Sequence, residues 1–144
     1  MVPLVVLAWR RGAAWAIPAG LAFGFLKCLI GGGIGWGVLS VLLDYVLAYG
    51  AVGLAGFFKG KKNGLVWGTV VGSFARFIVH FISGVTIWKI AVGDEVSLFG
   101  MTFDSSASFV YSLLYNGGYM LGNFIFCLVA VLLLAKPLSK LPNK

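Results

Sequence analysis

Acidic residues are nearly absent from this sequence: its 144 residues hold four Asp and Glu against eleven Lys and Arg, charged residues total 10%, and there is one histidine. Soluble domains keep roughly a quarter of their residues charged. So little charge, with 60% hydrophobic residues, excludes an ordinary water-facing surface. The two cysteines, Cys28 and Cys127, sit in separate apolar runs and read as small buried hydrophobes, not as a disulfide framework. A lone histidine gives no metal-ligand cluster, and there is no H-E-x-x-H or nucleophile elbow. Gly56-FFK-Gly60-Lys61-Lys62 lacks the spacing and hydroxyl of a phosphate-binding loop. Catalysis, a metal and a cofactor are therefore not expected. The net charge of +7 does not indicate nucleic acid, because a soluble basic patch would not accompany a mean hydropathy of +1.01.

What the chain has instead is apolar length. Runs at about 12–30, 37–58, 64–88 and 107–135 are each long enough to cross a bilayer. Residues 1–9 precede them and reach only ~14 Å as a helix, about half the hydrocarbon thickness. The expectation is an all-α membrane protein: one domain over 1–144, a compact transmembrane helix bundle of four full spans plus a short N-terminal helix. Gly20 with Gly24, Gly64 with Gly68 and Gly72, and Gly118 with Gly122 are spaced to let helix backbones approach, and packing within the bundle is the favoured reading.

Charge placement orients the bundle. Arg10-Arg11, Lys59-Lys61-Lys62 and Lys136-Lys140-Lys144 supply eight of the eleven basic residues, while Asp94, Glu95 and Asp104 share a different loop. The positive-inside rule makes the three basic sites cytoplasmic, including the C-terminus, and puts the 31–36 and 89–106 loops outside. The first, short pass then descends from the outside, which suggests a missing N-terminal portion. A secretory signal does not fit, since its basic region precedes the apolar one.

The polar residues within the spans are few. On an ideal helix Ser73, Arg76, His80, Ser83 and Trp88 fall within an arc of roughly 140°, giving the 64–88 span one polar face. Asp44 lies in the outer part of the second full span, beside Tyr45 and Tyr49. Intramembrane ionisable groups are costly and mark ligand or ion sites. Asp44 could instead pair with Lys27 or Arg76 and only close the bundle. Phe23, Trp36, Tyr45, Trp88, Tyr111, Tyr115 and Tyr119 gather toward the same level, although Trp36 suits an interfacial belt. Aromatic faces beside an acid fit a flat, positively charged ligand. The last span adds Ser112, Asn116, Tyr119 and Asn123. Tyr111 and Asn116 are ~140° apart on an ideal helix. One site uses both only if it is broad or if the backbone is irregular, as Gly117-Gly118 would permit.

Leu43-DYVLAYGAVGLAG-Phe57, Gly72-SFARFIVHFISGVTI-Trp88 and Tyr111-SLLYNGGY-Met120, following Arg10-Arg11-Gly12, resemble the thiamine-specific substrate-binding component of energy-coupling-factor (ECF) vitamin transporters. The similarity runs over nearly the whole chain. It implies a six-helix protein of the bacterial plasma membrane with cytoplasmic termini, which captures thiamine from outside. It also implies partners: a transmembrane coupling subunit and two cytoplasmic ATPase subunits that supply ATP hydrolysis. The family's pocket maps onto His80, Trp88, Tyr111 and Asn116, with Asp44-Tyr45 matching its acidic-Tyr pair. Asp44 stands where the family has glutamate, and Phe23 where it can have tryptophan. The family's first helix has no counterpart. Thiamine carries a cationic thiazolium and an aminopyrimidine, so Trp88 and Phe23 would stack, Asp44 would meet the amino group or the cation, and the others would hydrogen-bond. Alternatives are a substrate-binding component for another vitamin, a self-sufficient proton-coupled carrier using Asp44, Arg76 and His80, and a structural scaffold.

Overall fold

The computed structural model describes residues 1–31, 37–91, 96–98, 100–103 and 107–140, leaving aside the side chains of 88–91, 96–98 and 103. Trp36, the acidic residues Asp94, Glu95 and Asp104, and the Trp88 side chain lie outside that description. Five helices form the described bundle: α1 (Val2–Arg11), α2 (Ala13–Ile30), α3 (Val38–Phe58), α4 (Gly64–Ala91) and α5 (Ser108–Ser139). The four from α2 to α5 are long and apolar enough to cross a membrane. Between α4 and α5, β1 (Val96–Leu98) and β2 (Met101–Phe103) pair antiparallel, Val96 opposite Phe103, so the loop expected at 89–106 carries a hairpin.

Local chemistry sets the ends of these helices. Proline in the first turn of α1 loses no intrahelical bond, and Arg10 and Arg11 in the last turn face the negative end of its dipole. Gly60 (φ 74°) and Asn63 (φ 55°) take left-handed conformations that turn the chain from α3 into α4. Gly12 sits beside Lys59 and Gly56 against Ala13, which brings Arg10-Arg11 and Lys59-Lys62 to one end of the bundle. α5 runs antiparallel to α4 and delivers Lys136 and Lys140 to that end, with Ala135 and Leu138 packed on the core.

Large apolar side chains face outward from the bundle, and several polar ones are buried inside it. Ile30, Phe126 and Leu133 are 87%, 73% and 74% exposed, while Thr69, Arg76, Ser83 and Ser112 are buried. In water that outer surface would be penalised by about 25 cal/mol per Å2, and lipid removes the penalty. At the basic end, α1 fills the core: Leu4 and Val5 pack with Tyr49, Val52, Leu65, Cys127 and Val131, while Ala8 meets Ala16 and Ala55. Backbone contact joins α2 to α3, where Gly20 and Gly24 abut the carbonyls of Tyr49 and Tyr45. Gly68 and Gly72 bring α4 against Ala55 and Val52. Gly118 and Gly122 differ, because a side chain added there would meet no atom within 4 Å.

Candidate binding site

α3 is regular only in part. Residues Val41–Leu47 form a wide π-helical stretch between α-helical Val38–Ser40 and Ala48–Val52. Such turns are rare and gather at functional sites. This one carries Asp44 and Tyr45. One turn earlier, the Ser40 hydroxyl donates to Asp44 Oδ2 at 2.9 Å, and from α4 His80 Nδ1 meets Asp44 Oδ1 at 3.0 Å. Arg76, 2% exposed, donates from Nε to His80 Nε2 at 3.3 Å, and its guanidinium lies over the Tyr49 ring at 4.2 Å. Its Nη1 has no hydrogen-bond partner among the described residues. The alternative in which Arg76 pairs with Asp44 to close the bundle gives way to these contacts with His80 and Tyr49.

Side-chain hydrogen bonds to the α4 backbone fix α5. Ser112 Oγ donates to the Phe81 carbonyl at 2.9 Å, and Asn116 Nδ2 donates to the His80 carbonyl at 3.2 Å and to Ser112 Oγ at 3.1 Å. Gly84 makes room for both, since a side chain there would run into Ser112 and Asn116. On the next stripe of α5, Tyr111 and Tyr115 stack with centroids 5.7 Å apart and planes within 7°.

These side chains line a cavity of about 590 Å3, within the usual range for small-molecule sites. Asp44, Tyr45, His80, Tyr111 and Asn116 all line it. α5 is a continuous helix through Gly117-Gly118, so breadth, not backbone irregularity, lets one cavity use both Tyr111 and Asn116. Phe23 is not in its wall. α2 turns Gly20 and Gly24 toward α3, which leaves Phe23 44% exposed and edge-on to Tyr49 at 5.1 Å. Lys27, Tyr49, Arg76, Tyr115 and Tyr119 join the lining, as do Ser40 and Gly84. Ser40 had a signal in the sequence, one helical turn before Asp44; Gly84 had none.

The wall therefore offers one carboxylate, an imidazole, a buried guanidinium, a lysine, several hydroxyls and several phenol rings. Among the described residues no three His, Cys, Asp or Glu side chains gather as a metal site. A second groove of about 480 Å3, between Val70, Phe74 and Phe77 of α4 and Leu121 and Phe124 of α5, has no charged residue in its lining.

Residues 1–143 match the family described as thiamine transporter protein (Thia_YuaJ). The chain is 32% identical to thiamine transporter ThiT of Lacticaseibacillus paracasei over 147 aligned positions, which cover 91% of this chain and 68% of that protein. It is 29% identical to thiamine transporter ThiT of Bacillus subtilis, over 93% of this chain and 71% of that one. With a match over almost its whole length, laid on a bundle of four membrane-length helices, this multi-pass membrane protein belongs to the thiamine transporter protein family.

Proposed function

We propose that the chain captures thiamine tightly from outside the cell and serves as the substrate-binding component of an ECF-type transporter. The single observation that carries this reading is the Asp44 carboxylate, held by Ser40 and His80 in the wall of an aromatic cavity. The stacked Tyr111–Tyr115 pair and Tyr45 give a flat cationic ligand ring faces to lie against. Asp44 takes the amino group or the positive charge. Asn116, whose amide nitrogen is committed to the His80 carbonyl, offers its oxygen. His80 acts mainly by holding Asp44. By the family resemblance Trp88 stacks on the ligand, whereas Phe23, edge-on to Tyr49, acts through that ring.

In this reading the membrane is a bacterial plasma membrane and the basic end, with the C-terminus, faces the cytoplasm. The coupling subunit and two ATPase subunits supply the energy, because the chain has no phosphate-binding loop of its own. Titration calorimetry and tryptophan quenching on the purified protein test the binding reading, and the expected result is saturable thiamine binding. Absence of both signals at micromolar thiamine would sink it. In proteoliposomes holding this chain alone, thiamine should bind without accumulating. Accumulation driven by a proton gradient would favour the self-sufficient carrier.

A further inference from the structure

We infer that Arg76 is a positioning residue: through its Nε–H it fixes His80 in the Nδ1–H tautomer and so aims the Asp44 carboxylate into the cavity without pairing with it. The inference rests on the binding role proposed above. A neutral imidazole has one donor and one acceptor nitrogen. Arg76 Nε is a donor only, so the Nε2 that faces it at 3.3 Å must be the acceptor. The proton then sits on Nδ1, which points at Asp44 Oδ1 at 3.0 Å. The opposite tautomer would set N–H against N–H at one side of the ring and a lone pair against a carboxylate at the other.

The arrangement separates two opposite charges by a neutral ring. A guanidinium paired directly with Asp44 would have to be displaced by any cationic ligand. Here the carboxylate is oriented by two neutral donors, Ser40 Oγ–H and His80 Nδ1–H, and each oxygen retains capacity for a ligand. Arg76 itself is held in place by its stacking on Tyr49, which is 5% exposed and belongs to the core beneath. Histidines elsewhere are oriented in this way by whatever bonds their second nitrogen.

His80 is the chain's one histidine, so protein labelled with 15N-histidine reports this ring alone. Wild type should show a protonated Nδ1 and a bare Nε2. Arg76→Met, which keeps length but removes the donor, should populate both tautomers and weaken thiamine binding roughly tenfold or more. Arg76→Lys, which still donates to Nε2, should keep the Nδ1–H tautomer and most of the affinity. A wild-type Nε2–H tautomer overturns the inference even if Arg76→Met fails to fold. So does Arg76→Met with wild-type affinity, whatever its tautomer. If wild type binds no thiamine, the binding reading falls, and the tautomer of wild type compared with that of Arg76→Met still decides whether Arg76 sets the ring.

Discussion

Asp44 keeps hydrogen-bonding capacity on both carboxylate oxygens after serving Ser40 and His80. Asp44→Asn preserves the shape of the group and removes its charge. A hydrogen bond involving a charged group contributes about 1.5–3 kcal/mol, so thiamine affinity should drop roughly ten- to a hundredfold, measured by calorimetry with the melting temperature as control. Asp44→Glu should bind, since it restores the residue of the family motif. A second residue-scale outcome concerns Gly84: an Ala there meets Ser112 and Asn116, and should loosen α5 from α4, lowering the melting temperature and thiamine affinity together. Much of the cavity wall was readable at this scale. Asp44 and His80 stood out as ionisable groups in apolar runs, and Tyr111 and Asn116 through the resemblance. Gly84 was not readable, because its role is the space it leaves for another helix.

At the scale of elements, glycine spacing alone does not tell an occupied ridge from an empty one. Gly24 abuts the Tyr45 carbonyl and Gly118 abuts nothing, although both belong to G-x-x-x-G pairs. Gly24→Leu should therefore cost about 1–3 kcal/mol or more through overpacking, seen as a lowered melting temperature in detergent, whereas Gly118→Leu should leave it nearly unchanged. The long helices were legible from hydropathy and length. The π-helical stretch was not: Val41–Leu47 contains neither Gly nor Pro, and its widened turn answers to partners distant in sequence, His80 on α4 and Gly24 on α2. The reverse holds for Gly117-Gly118, where composition allowed a break and α5 runs through unbroken.

For the whole molecule, most of the basic residues cluster at one end, and α4 and α5 carry the hairpin to the other. Topology has a direct check against the buried background of Cys28 and Cys127. In intact cells, Met101→Cys should react with a membrane-impermeant maleimide, and Lys61→Cys only after permeabilisation. The reverse pattern would invert the molecule and leave the cavity facing the wrong compartment for uptake.

The helices around the cavity are also fastened unequally. The side-chain hydrogen bonds described above join α3, α4 and α5, and none of them reaches α2. α2 meets α3 through glycines, backbone and the edge-on Phe23–Tyr49 rings, with no side-chain hydrogen bond among the described residues to break when one helix slides along the other. Of the four walls, α2 is the one that can shear at least cost, so the opening through which a ligand comes and goes is expected on its side.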